Sequence, residues 1–169
     1  DETVFKNGAN NAFAGIANKT TWKYNTELKG VATVSFADFG KTYGDANVDL
    51  AATSNSTGVI SYEIVAGGTG TAILSGANNA MVTLGNVGTV LLKASVAADA
   101  NYNQSSKTLT LTISKKAITV TADASQTKVY GTPSADLTYS VSPSLVGTDV
   151  FTGSLSRVSG ENAGSYASE

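Results

Sequence analysis

The sequence predicts an all-β chain made of two tandem units, and three observations carry that prediction. Short runs alternate apolar and polar residues with a period of two, and no long run shows a convincing apolar helical period. Turns rich in Gly and Asn separate these runs about every 8–12 residues. A motif also repeats, with Lys41-Thr42-Tyr43-Gly44-Asp45 returning as Lys128-Val129-Tyr130-Gly131-Thr132. The copies start at positions 41 and 128, 87 residues apart, and the same offset pairs Asp49 with Asp136 and Leu50 with Leu137. A fixed offset across five positions marks two related units in one chain.

The 169 residues divide accordingly into an N-terminal segment, 1–28, a first unit, 29–115, and a second unit, 116–169. In the first segment Asn7-Gly8-Ala9-Asn10-Asn11 reads as a turn or loop. Phe13, Ile16 and Trp22 are apolar and need cover, either as a strand or short helix docked on the first unit or as the end of a preceding domain.

From Val31 the pattern is β. Ala32, Val34 and Phe36 alternate with Val31, Thr33 and Ser35, while Ile60, Tyr62 and Ile64 share one face against Ser61 and Glu63. Val90, Leu92, Ala94 and Val96 alternate with Leu91, Lys93 and Ser95, and Leu109, Leu111 and Ile113 with Thr110 and Thr112. The leucines are expected in the core and the threonines in water. Between the strands stand Gly67-Gly68-Thr69-Gly70, Gly76-Ala77-Asn78-Asn79, Gly85-Asn86-Val87-Gly88 and Asp99-Ala100-Asn101-Tyr102-Asn103. Such spacing predicts an immunoglobulin-like sandwich of about seven strands over 29–115.

Only Ser114-Lys115-Lys116-Ala117 separates Ile113 from the next alternating run, Ile118, Val120 and Ala122. With no Gly- or Pro-rich linker, the last strand of the first unit is expected to run almost directly into the second, giving a stiff, extended rod. In the second unit Leu137, Tyr139 and Val141 alternate with Thr138 and Ser140, the turn Ser142-Pro143-Ser144 follows, and Phe151, Gly153 and Leu155 come next. This unit is shorter than the first and is expected to lack one or two strands. A sandwich and a β-grasp-like arrangement with a short helix near 134–136 both stay open.

Composition narrows the function. The chain has no cysteine and no histidine, which excludes disulfides, a cysteine nucleophile, thiolate metal sites and the usual neutral-pH general base. Eleven basic and 13 acidic residues are scattered without runs, an unsuitable distribution for nucleic acid. No stretch reaches the ~18 apolar residues of a transmembrane helix, so no membrane insertion is expected. The start, Asp1-Glu2-Thr3-Val4-Phe5-Lys6, lacks the pattern of a signal peptide and reads as a mature segment or excised fragment. Carboxylates for glycoside hydrolysis would need two acids in one cleft, and no pairing of that kind is visible. No catalytic residue and no cofactor is expected.

Lys128-Val129-Tyr130-Gly131, Leu137-Thr138-Tyr139, Gly153-Ser154-Leu155-Ser156-Arg157 and Gly160-Glu161-Asn162-Ala163-Gly164-Ser165-Tyr166 closely resemble the "mostly beta" MBG repeats of the Tyr-Gly type. Residues 31–116 look like the bacterial immunoglobulin-like or Tyr-Asp-Gly-related repeats that accompany them, through Lys41-Thr42-Tyr43-Gly44-Asp45, Gly88-Thr89-Val90 and Ala100-Asn101-Tyr102-Asn103. The resemblance implies a tandem array in a secreted or cell-surface bacterial protein, usually an adhesin, in which such repeats are stalk and spacer. It brings no catalytic residues. Family members continue beyond the position of Tyr166 with another Gly turn and strand.

Several residues remain to be weighed. The repeated Lys41, Tyr43, Gly44 and Lys128, Tyr130, Gly131 read as structure: each glycine can take positive φ in a tight turn, and each tyrosine can tie down a loop through its hydroxyl. Asp49 and Asp136 read as turn caps before a strand. Asp99-x-Asn101-x-Asn103 copies the opening of a calcium loop but has Gln104 where glycine belongs and Thr110 where the closing acid belongs, so it reads first as a polar hairpin loop. An isopeptide bond would need a buried lysine, and Lys93 is on the solvent face. Among Trp22, Tyr24, Tyr62 and Tyr102, candidates for a sugar-stacking platform, Tyr62 has the core phase and Tyr102, at a loop tip, is best placed to touch a ligand. The expected function is a non-catalytic spacer. The rival is a glycan- or protein-binding module using loops 99–103 or 67–70, and a third possibility is strand exchange with a neighbouring chain through residues 1–28.

Overall fold

In the computed structural model the described residues are 28–160 and 162–166, so Phe13, Ile16, Trp22 and Tyr24 lie outside them. The strands in chain order are β1 (Gly30–Val31), β2 (Val34–Ser35), β3 (Phe39–Thr42), β4 (Val48–Asp49), β5 (Thr53–Ser54), β6 (Ile60–Val65), β7 (Ala72–Ser75), β8 (Met81–Leu84), β9 (Gly88–Val96), β10 (Tyr102–Asn103), β11 (Ser105–Ser114), β12 (Thr119–Ala122) and β13 (Tyr139–Ser142). One 3-10 turn, Ala77–Asn79, joins β7 to β8, and the described residues contain no α-helix.

The first unit is a sandwich. One sheet has the order β3-β11-β9-β6, with β3 parallel to β11 and the other pairs antiparallel. The other has the order β4-β8-β7, and β2 pairs with β5, the continuation of β4 after a break at Leu50-Ala51-Ala52. Read across that break, β2, β5/β4, β8 and β7 stand opposite β3, β11, β9 and β6, the strand arrangement of an immunoglobulin-type sandwich. A first strand that leaves one sheet for a parallel place on the other is part of that arrangement. It closes the edge beside β11, where an unpaired strand would otherwise invite pairing with another chain.

Alternation decides which side chains fill the space between the sheets. Val90, Leu92, Ala94 and Val96 of β9 and Leu109, Leu111 and Ile113 of β11 are all buried, with Val82 of β8 opposite. Antiparallel register places Leu109 beside Leu92 and Leu111 beside Val90, so both strands present their apolar residues on one face. Phe36 and Tyr62 pack with ring centroids 5.5 Å apart. Tyr62 can be buried because its hydroxyl donates to the Leu50 carbonyl at 3.1 Å and accepts from the Ala52 N–H at 2.8 Å, tying β6 to the break in the other sheet.

Two expectations for this unit need correction. Ile64 has the phase of Tyr62 but is exposed, because it sits near the end of a strand whose only sheet neighbour among the described residues is β9. Asp49 does not cap a turn before a strand; it lies within β4, opposite Met81.

The second unit is built differently. Its one sheet among the described residues is the pair β12-β13, with Val120 opposite Val141 and Ala122 opposite Tyr139. These four residues form an apolar face, extended by the edge contact of Phe151 with Tyr139 at 5.8 Å, while Thr119, Thr121, Ser140 and Ser142 form the polar one. No described residue between 116 and 166 is buried. A two-stranded sheet with one uncovered apolar face has little stability of its own. Neither the helix left open at 134–136 nor a strand over 151–155 forms. The latter stretch has no partner strand among the described residues: the alternation of Phe151, Gly153 and Leu155 is a strand signal only where backbone pairing is on offer.

Candidate functional site

Loop 99–103 is the first place where sequence pointed to a ligand. The Oδ1 of Asp99 accepts the backbone N–H groups of Asn101 at 2.8 Å and Tyr102 at 2.7 Å. Its Oδ2 accepts the Ser56 hydroxyl at 2.9 Å, the Thr57 N–H at 2.8 Å and the Thr57 hydroxyl at 3.0 Å. Lys29 Nζ donates to the Asp99 carbonyl at 2.6 Å. The carboxylate is thus saturated by donors of the protein, and the Lys29 ammonium ties down the backbone of the same residue. Asn101 contributes its backbone rather than its side chain, and the Asn103 side-chain amide donates to the Lys29 carbonyl at 3.5 Å, so the three residues of the calcium-like pattern do not converge.

Asp99 is therefore a staple joining two loops and the start of the unit. Hydrogen bonds from the Thr57 backbone, then from Asn101, Ser56 and Tyr102, hold its carboxyl far below the usual carboxylate range. A depressed folded-state value means that the unfolded chain takes up the proton first as pH falls. The stabilisation is fully present above the unfolded value of 3.8 and drains away as pH drops toward the folded one. Asp99→Asn is expected to lower the melting temperature at pH 7 by roughly 5–10 °C. Calorimetry between pH 7 and pH 2 checks it, since the gap to the unaltered protein should narrow on the acid side.

Tyr102 is half-buried, and its ring lies over Gly30, where an added Cβ would come within 3.1 Å of the ring edge. This places one edge of the ring against the protein. The 67–70 loop is likewise occupied. The Thr69 hydroxyl accepts from the Thr89 N–H at 3.1 Å, the Gly70 N–H donates to the Thr89 carbonyl at 2.9 Å, and a Cβ on Gly68 would overlap that carbonyl. Its glycines let two backbones meet. Lys93 pairs with Glu63 at 2.8 Å on the partly exposed face of the sheet.

The repeated motif has a more specific setting. Lys41 lies in β3 opposite Ile113, Thr42 ends the strand, and the chain turns through Thr42-Tyr43-Gly44-Asp45, closed by the Asp45 N–H on the Thr42 carbonyl at 2.9 Å, with Gly44 at φ +86°. Tyr43 reaches the second unit, its hydroxyl donating to Asp149 Oδ1 at 3.3 Å, while Val146 covers Gly44 so closely that a Cβ there would overlap its methyl groups. Lys116 Nζ donates to the Ser144 carbonyl at 3.2 Å on the same side. Tyr43, Val87, Ile118, Leu145, Val146 and Asp149 border an open cleft of about 230 Å³ at this junction. The Asp149 charge beside the phenol, with partial burial and the hydrogen bond itself, raises the Tyr43 pKa above 10.0.

In the second copy Lys128 precedes the turn Val129-Tyr130-Gly131-Thr132, closed by the Thr132 N–H on the Val129 carbonyl at 3.2 Å, with Gly131 at φ +80°. Tyr130 is exposed there. Sequence reasoning found both tyrosines but missed the docking partner, Val146 with Asp149. The one local signal was Val146-Gly147-Thr148-Asp149, whose composition suits a turn. Among the described residues, no group of three or more acidic side chains is placed to hold a metal ion.

No curated protein and no solved structure matches the chain. With the second Tyr-Gly turn, the β12-β13 pair and the docking loop all inside it, the stretch 118–169 matches the family model of the MBG domain (YGX type), and in that part the chain is similar to an MBG repeat.

Proposed function

We propose that this chain is a stretch of non-catalytic spacer units in a secreted or cell-surface bacterial protein of the adhesin kind. The observation that carries the reading is the docked junction. Four residues, 115–118, separate β11 from β12, and the second unit is held back against the first by Tyr43–Asp149, Val146 on Gly44 and Lys116 on Ser144. A short connection braced on its side resists bending, which is what a spacer must do. Two loops that a binding module would use support the same reading, since the Asp99 carboxylate, the Thr69 hydroxyl and the Gly70 N–H are all spent on the protein itself.

Small-angle scattering with multi-angle light scattering tests it. The chain is expected to be an elongated monomer whose two units keep one relative orientation, and Val146→Asp, which sets two carboxylates at one contact, is expected to broaden the distance distribution. A profile unchanged by Val146→Asp would count against the brace. Saturable binding in a titration against a glycan panel would replace the spacer with a binding module.

The brace also has a pH signature. A phenol whose folded-state pKa is raised contributes stability below pH 10.0 and loses it as pH climbs through the raised value. The junction is expected to loosen in that alkaline range, and Tyr43→Phe to remove the pH dependence. Scattering at pH 8 and above pH 10 reads both.

A further inference from the structure

The two Tyr-Gly turns share their backbone geometry and differ in their surroundings. Gly44 lies under Val146, whereas a Cβ at Gly131 would find nothing within 4 Å among the described residues. Tyr43 is half-buried and bonded to Asp149, whereas Tyr130 is 77% exposed and Val129 72%. The second turn therefore presents, uncovered, the features that the first uses: a phenol hydroxyl able to donate and a glycine over which a small apolar side chain can sit.

What fills the first turn is itself a turn. The Asp149 N–H donates to the Val146 carbonyl at 3.0 Å, with Gly147 at φ +58°, and this presents the Val146 methyls and the Asp149 carboxylate together. One apolar knob seated on a glycine and one carboxylate facing a phenol define the chemistry of the occupant. A chain's own 146–149 turn is engaged at Tyr43 and cannot serve Tyr130 as well.

We propose that the 129–132 turn is a socket for the 146–149-type turn of a further unit of the second kind, seated as the second unit is seated on the first. The proposal rests on the spacer reading and adds the residues through which successive units are held. Units joined by short connections meet at about millimolar effective concentration. An interface of two side chains is then filled within an array although separate chains at low concentration would not associate through it.

The test uses the 169-residue chain, isotopically labelled, and a cyclised peptide with the sequence of residues 144–150. Saturable shifts of the Gly131 amide and the Tyr130 ring are expected, with a dissociation constant on the order of millimolar. A peptide carrying Asp149→Asn is expected to bind about fivefold more weakly or worse, because the charge-assisted hydrogen bond is the stronger kind. The Gly131→Val chain is expected not to respond. No saturable shift at Gly131 up to about 10 mM peptide, equal binding of the Asn peptide, or an unchanged response in Gly131→Val would overturn the proposal. The Gly44 amide separates this from the spacer reading. If Asp149→Asn within the chain moves Gly44 while the peptide leaves Gly131 still, the braced junction stands and the socket alone falls. If Gly44 is also indifferent, both fall.

Discussion

Leu111→Ala is expected to remove about 3–5 kcal/mol from the first unit, the upper part of the range for a large-to-small change in a packed core. Leu111 is fully buried on β11, at the centre of a sheet whose flanking strands, β3 and β9, fix its backbone on both sides. Little of the resulting cavity can collapse, because the neighbours that would have to move are themselves held by backbone pairing. The melting temperature is expected to fall by roughly 15–30 °C. Val120→Ala, on the exposed apolar face of β12, is expected to cost less than about 1 kcal/mol. Urea denaturation of the two variants, with the slope unchanged for each, checks the contrast. A larger effect at Val120 than at Leu111 would mean that the second unit has a core of its own.

Gly88→Ala is expected to destabilise by about 2–4 kcal/mol, through backbone strain and overlap together. Gly88 opens β9 at φ +130°, and a Cβ there would stand 2.5 Å from the Gly70 nitrogen and 2.7 Å from the Thr69 hydroxyl. Relief would require parting the 67–70 and 85–89 loops, which share several hydrogen bonds. Gly131→Ala is the control, since at φ +80° it meets strain but no neighbour among the described residues. Its cost in the isolated chain is expected to stay near 1 kcal/mol. Thermal melts of both variants separate strain from overlap.

Much of the first unit was legible because strand alternation is a property of each segment alone. The phases of β9 and β11 could be read from Val90 to Val96 and from Leu109 to Ile113 without knowing which strand paired with which. Ile64 escaped that logic, since phase says which face a residue takes and nothing about whether a second layer reaches it. The pair of Tyr-Gly turns was legible for another reason: closing such a turn needs only the turn's own residues and a glycine free to take positive φ. Loop chemistry was harder. Asp99-x-Asn101-x-Asn103 copies the opening of a calcium loop and reads first as a polar hairpin, but nothing local shows that Ser56 and Thr57, more than 40 residues earlier, donate to the same carboxylate.

By itself, then, the sequence determined the all-β class, the phase of the central strands, the repeat and its two turns, because each depends on neighbours a few residues apart. The tertiary structure decided that β3 lies parallel to β11, that Asp99 serves the loops, and that Tyr43 is covered by Val146 and Asp149 while Tyr130 is not. Those outcomes join residues separated by tens of positions up to the 106 between Tyr43 and Asp149. Closing such long loops rewards a contact only after the chain entropy has been overcome elsewhere, so no local pattern of residues could have announced them.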